Sequence, residues 1–166
     1  EAVDETTEGM LVIGYGLNGK NLLRAATAAD IPVRVIELNP DTVRRERAQG
    51  VPIEFGDATQ DAVLLHAGVR SAAVVVVAIS DPAATGRITE RVRALAPESH
   101  IIARTRFTSE VSRLAKLGAN EIIPEEFETA VEIFARALDR FSLPREEIDR
   151  WIHEIRADSY RMLREE

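Results

Sequence analysis

The sequence predicts an α/β protein, a doubly wound parallel sheet of six strands followed by two C-terminal helices. Three observations predict it. Short apolar runs alternate with helical patterns five times over, the sequence form of repeated βαβ units and a parallel sheet. One of those runs, Ala72–Ile79, shows no polar alternation, which predicts a central strand covered on both faces. Beyond Pro124 the apolar spacing turns helical and no further strand follows.

The six strands are placed at Met10–Ile13, Val33–Glu37, Pro52–Phe55, Ala72–Ile79, His100–Arg104 and Glu121–Ile123. Between them, Asn39-Pro40 and Asp81-Pro82 each offer a capping side chain followed by proline, which the first helical turn tolerates. Gly50, Gly68 and Gly118 stand where helices should stop, each soon followed by a strand, and glycine supplies the left-handed residue that ends a helix without a Cβ penalty. The sheet region thus runs over residues 9–124. Residues 1–8, acidic and polar with no signal-peptide pattern, read as a linker remnant, and a start at Glu1 suggests a piece of a longer protein.

Residues 125–166 form a helical extension. Phe127, Val131, Phe134, Leu138 and Phe141 recur at steps of four and three, making one narrow apolar seam. After a break at Ser142-Leu143-Pro144, a second stripe comprises Ile148, Trp151, Ile152, Ile155, Met162 and Leu163, interrupted by Asp158 and Ser159. The helices at 125–141 and 144–163 either join two copies as a homodimer, the preferred expectation, or pack on their own domain.

Composition narrows the function. The 166 residues suit one domain and are short for a nucleotide fold plus a separate substrate domain. No apolar run approaches the roughly 20 residues of a spanning helix. A formal charge of -7 argues against nucleic acid as a partner, since tracking phosphates takes clustered Lys and Arg in excess. Without cysteine the chain has no disulfide, thiol switch or thiolate metal ligand, which fits a cytoplasmic setting. His66, His100 and His153 are dispersed with no metal spacing, so no metal and no catalytic residue is predicted.

The chemistry-bearing motif is Gly14-Tyr15-Gly16-Leu17-Asn18-Gly19, directly after the first strand and opening a helix, a Rossmann-like nucleotide fingerprint. Gly14 permits the tight exit from the strand, Gly16 lets backbone approach a phosphate, and Gly19 lets the helix lie close to the sheet. Leu17 and Asn18 present amides at the helix start, where an anion is favoured. Glu37, roughly 20 residues beyond Gly16 and at the end of the second strand, stands where a ribose-binding acid belongs. Its charge favours NAD or AMP over NADP, because a 2′-phosphate there would face a like charge. The other reading of Glu37 is an exposed strand-end carboxylate. Asn39 is read as a cap.

The remaining site candidates are Leu38, Asp57, Ala58, Ala78, Ile79 and Arg104, all at predicted carboxyl ends of strands, where ligands of open α/β sheets collect. Asp57, in Gly56-Asp57-Ala58-Thr59, either caps the following helix or touches adenosine. Ala78 and Ile79, ahead of Ser80, suit van der Waals contact with a base or ribose. Arg104 either complements a phosphate or pairs with a local carboxylate, while Arg106 is read as solvated.

These motifs, with Val35–Pro40, Ile101–Arg106, Gly118–Thr129 and Glu154–Leu163, resemble the RCK or KTN (TrkA-N-like) regulatory domains, most of all the C-terminal cytoplasmic domain of Kef-type potassium efflux and cation:proton antiporters. The resemblance covers nearly everything from Gly9 onward. It implies a non-enzymatic, dimeric sensor that binds AMP or NAD(H) as a regulatory ligand and passes its state to a membrane transport domain of the same full-length protein, at the cytoplasmic face of the cell membrane. It further implies that the glycine loop holds phosphate, Glu37 ribose, Asp57 the adenosine side and Arg104 the phosphate region, and that 125–141 is a crossover helix. The alternatives are a small NAD-dependent oxidoreductase, supported only by the glycine loop, and a dimerisation module with a vestigial nucleotide site.

Overall fold

The computed structural model describes residues 9–165, so the expectation for residues 1–8 lies outside the described residues. The chain runs β1 (Gly9–Ile13), α1 (Leu17–Ala28), β2 (Val33–Glu37), α2 (Pro40–Arg47), β3 (Ile53–Phe55), α3 (Asp61–His66), β4 (Ala72–Val77), α4 (Pro82–Leu95), β5 (His100–Thr105), α5 (Val111–Lys116), β6 (Glu121–Pro124), α6 (Glu125–Leu138) and α7 (Arg145–Glu165). The strands form one parallel sheet in the order β3-β2-β1-β4-β5-β6. The chain order reverses between β1 and β4, so the Ala78–Ser80 segment leaves the sheet beside the glycine loop, the crevice where ligands of such sheets bind. β4 stops two residues short of the expected Ile79, which frees that segment for the loop.

Local chemistry sets the helix ends. The Asn39 side chain accepts hydrogen bonds from Asp41 N at 2.9 Å and Thr42 N at 3.2 Å, and Asp81 accepts from Ala84 N at 2.9 Å, so both Asx-Pro signals are caps. Gly50, Gly68 and Gly118 have φ of 82°, 78° and 112°, the left-handed conformation that ends a helix.

Right-handed crossovers put α1 and α2 on one face, because the chain moves outward from β1 to β3, and α4 and α5 on the other, because it then moves outward from β4 to β6. Val12, Leu23, Val35, Val43 and Ile53 fill the first layer; the larger cluster, with Leu11, Leu64, Val75, Val77, Val92, Ile101 and Leu114, fills the second. The same winding leaves half of one face without a helix of its own. Val75, Val77, Ile101 and Ala103 are fully buried, whereas the alternate positions Val76 and Ile102, paired in register, are only half-buried. This corrects the expectation that β4 is covered on both faces. An apolar groove of about 740 Å³ runs there, between Leu22 of α1, the sheet residues Val76, Ala78, Ile102 and Ile123, and Ile133 of α6.

The two terminal helices pack partly within the chain. Val131 and Ile148 are buried, Leu163 packs against the main core, and Phe127 meets Tyr160 edge-on with ring centroids 5.3 Å apart. Glu128 of α6 pairs with Arg156 of α7 at 2.7 Å and accepts the Tyr160 hydroxyl. Ile133, Phe141 and Met162 remain more than half exposed. No helix among the described residues is long and apolar enough to cross a membrane.

Candidate nucleotide-binding site

The site begins where β1 hands over to α1. Gly14 has φ 100°, and a Cβ there would lie 2.9 Å from Ile79 Cγ2 and 3.0 Å from the Ala78 carbonyl, so both its conformation and its closeness to the β4 exit require glycine. A Cβ on Gly19 would lie 2.2 Å from the Gly14 carbonyl oxygen and 3.6 Å from Val12 Cγ1. Gly19 thus seats α1 against its own loop as well as against the sheet. Gly16, the N-cap residue, has open space on its Cβ side. No side chain caps α1 and no acidic residue occupies its first turn. The first intrahelical bond is Lys20 N to the Gly16 carbonyl at 2.9 Å, so the amides of Leu17, Asn18 and Gly19 precede it and no acidic residue of α1's own first turn occupies the positive end of the helix dipole.

Glu37 ties this loop to the next strand. Its Oε2 accepts from the Tyr15 amide at 2.8 Å and its Oε1 from the Asn39 amide at 2.7 Å. A carboxylate offers about four lone-pair positions, so two remain for ribose hydroxyls. The Tyr15 side chain is buried beneath the loop, with Lys20 Nζ 5.7 Å from its ring centre and Lys20 itself paired to Glu46 at 3.2 Å.

A cavity of about 430 Å³ is bounded by Gly14–Asn18, Glu37, Ala78, Ile79, Ser80, Arg104 and Glu125. Arg104 donates from Nε to Glu125 Oε1 at 2.5 Å and from Nη1 to the Ile79 carbonyl at 3.1 Å. Of the two readings of Arg104, the structure therefore realises pairing with a local carboxylate, inside the cavity. The Arg104 guanidinium holds the Glu125 carboxyl below its usual range against the opposing effect of burial, with Asn18 assisting.

Eight of the twelve predicted residues line this cavity: Gly14, Gly16, Leu17, Asn18, Glu37, Ala78, Ile79 and Arg104. The other four stand outside it. Gly19 lies under the loop, Ala58 is in the core at 5% exposure, and Leu38 is mostly exposed. Asp57 accepts from Thr59 N at 2.9 Å and Thr59 Oγ1 at 2.7 Å, closing a turn and lowering its own pKa. The N-cap of α3 is Gln60, so Asp57 is not the cap of that helix. The residues that sequence reasoning left out are Tyr15, Ser80 and Glu125. Tyr15 and Ser80 adjoin predicted residues; Glu125 follows from the β5–β6 register, in which Thr105 faces Pro124, the residue before it. Among the described residues no group of three or more His, Cys, Asp or Glu is placed to hold a metal.

Curated proteins similar to this chain are described as potassium-efflux proteins. The chain is 31% identical over 143 residues to the glutathione-regulated potassium-efflux system protein KefC of Cronobacter sakazakii, covering 86% of this chain and 23% of that protein. It is 26% identical to the putative K(+) efflux antiporter KefB of Alkalimonas amylolytica, covering 95% of this chain and 24% of that one. The chain therefore spans about a quarter of the length of these curated relatives. Among solved structures, the TrkA-N domain of the Escherichia coli inner membrane protein ybaL superposes with a TM-score of 0.74 at 30% identity, covering 77% of this chain and 95% of that one. The Kef CTD of Shewanella denitrificans, in AMP-bound form, shares the fold with a TM-score of 0.80 at 22% identity over 95% and 96% of the two chains. The TrkA-N domain family model matches residues 10–125, the sheet from Met10 on and the first residue of α6, and this chain belongs to that family.

Proposed function

We propose that this chain is a non-enzymatic sensor domain that binds AMP or NAD(H) and regulates a potassium-efflux or cation:proton antiport unit through a conformational change of its dimer, at the cytoplasmic face of a membrane. The observation that carries the reading is the convergence, on one cavity, of an uncapped helix start and a strand-end carboxylate with two acceptor positions to spare. The first suits a phosphate and the second a ribose diol. The relatives support regulation over hydride transfer, since those named above are potassium-efflux proteins. The Shewanella domain is described as AMP-bound and the GsuK channel, which shares the fold, as NAD-bound. A ligand regulates only by binding two states of the protein unequally. The α6 helix begins at Glu125 on the cavity wall, so a ligand there touches the helix to which this reading assigns the dimer contact.

Thermal unfolding with AMP, NAD and NADH tests the reading. A hundredfold excess over Kd adds about 2.7 kcal/mol, or roughly 5–10 °C in a domain of this size. Glu37→Gln, which keeps one acceptor oxygen for the backbone amides, should lose most of that shift. No shift with any of the three at millimolar concentration would sink the proposal. Sedimentation with and without ligand tests the dimer: a vestigial site leaves it indifferent to nucleotide.

A further inference from the structure

Among the described residues lining the nucleotide cavity, Arg104 is the only basic one, and the structure engages its guanidinium on two sides. Nε is held by Glu125 at 2.5 Å and Nη1 by the Ile79 carbonyl at 3.1 Å. The Asn18 side chain, in the first turn of α1, lines the same cavity beside Glu125 and favours its charged form. Two carboxylates therefore line the cavity at the glycine loop, Glu37 on the Tyr15 amide and Glu125 on Arg104. The arrangement is short of free positive charge. One phosphate can be held by the Leu17, Asn18 and Gly19 amides and the helix dipole, which together act as roughly half a positive charge.

We infer that Glu125 is a specificity-determining residue that restricts this cavity to nucleotides with a single terminal phosphate or a phosphodiester, and excludes nucleoside diphosphates and triphosphates. The inference rests on the nucleotide reading and adds the class of ligand. A β-phosphate would need a cation beyond the helix start. Arg104 is the only cation lining the cavity among the described residues, and Glu125 offsets its charge, so an added phosphate meets no net positive charge there and a carboxylate at short range. A phosphodiester carries one charge per phosphorus and no dianionic end, so it escapes this penalty.

Titration calorimetry on the whole chain tests this with AMP and ADP. The unaltered chain should bind AMP about tenfold more tightly than ADP or better. Glu125→Gln removes the charge while keeping the shape and frees Arg104, and should narrow that ratio by about tenfold. Arg104→Gln leaves Glu125 unpaired and should widen it. The second variant reads the same charge from the opposite side should the first fold poorly by circular dichroism. ADP binding as tightly as AMP in the unaltered chain overturns the inference alone, as does an unchanged ratio in both variants, while the nucleotide reading stands. Failure of both nucleotides and of NAD to bind overturns the two together.

Discussion

Gly16 and Gly19 belong to one motif, yet a methyl group added to each should have opposite consequences. At Gly19 the Cβ would lie 2.2 Å from the Gly14 carbonyl oxygen, a backbone atom at the base of the loop. Ordinary contact requires the helix and loop to separate by about 1 Å. Overpacking of this kind costs about 1–3 kcal/mol, and a rigid backbone neighbour puts it at the upper end. Alanine returns at most about 1 kcal/mol through helix propensity, leaving a net loss of about 2 kcal/mol. In a domain of this size Gly19→Ala should therefore lower Tm by roughly 4–8 °C. Gly16 has φ -76° and nothing within 4 Å of its Cβ, so Gly16→Ala should leave Tm within about 2 °C. Its methyl would instead stand where a phosphate approaches the helix start, and should weaken AMP or NAD binding about tenfold. Differential scanning calorimetry without nucleotide, followed by titration with it, separates the effects. A Gly19→Ala protein melting with the unaltered chain would refute the packing argument, and equal losses in both variants would refute the division of roles.

Arg93 joins the end of α4 to the starts of β5 and β6, bonding the Gly118 carbonyl at 2.9 Å, Ser99 at 2.9 Å, Pro97 at 2.6 Å and the Asn120 side chain at 2.5 Å. Arg93→Met should cost about 2–3 kcal/mol, measured by urea unfolding, because the part-buried bonds to the Ser99 and Gly118 carbonyls lose a charged donor. Burial pushes the Glu128 carboxyl up, but Arg156 and Tyr160 outweigh it and leave it below its ordinary 4.5. That stability is present above pH 4.5 and is lost as pH falls through the lowered value, so Glu128→Gln should flatten the acid limb of a Tm–pH profile. Burial and then Glu128 raise Tyr160 above its ordinary 10.0, so its contribution is present below pH 10 and disappears only at more alkaline pH. Ile133, 64% exposed on α6, should favour the dimer; Ile133→Asp should shift sedimentation toward monomer with little change in far-UV dichroism.

What the sequence disclosed and what it concealed divide along the range of the interactions. The β1–α1 loop, the Asn39 and Asp81 caps and the position of Glu37 are local or fixed by strand–helix alternation, and the structure places them as their residue types require. Ala72–Ile79 misled because an all-apolar strand has the same composition whether its second face is met by the chain's own helix or by something else. Winding direction, not residue type, decides that, and it left Val76 and Ile102 on the open half. Leu38 and Ala58 follow the carboxyl ends of their strands as expected, but the backbone turns one outward and the other into the core. Glu125 was concealed for a further reason. It lies 21 residues from Arg104, on a different element, and only parallel pairing of β5 with β6 brings the two together. Arg104 is the only basic residue lining the cavity among the described residues, and by the inference above that contact would limit the negative charge a ligand can carry. On the proposed reading the glycine fingerprint gives the class of ligand, and Glu125, the first residue of α6, sets its limit.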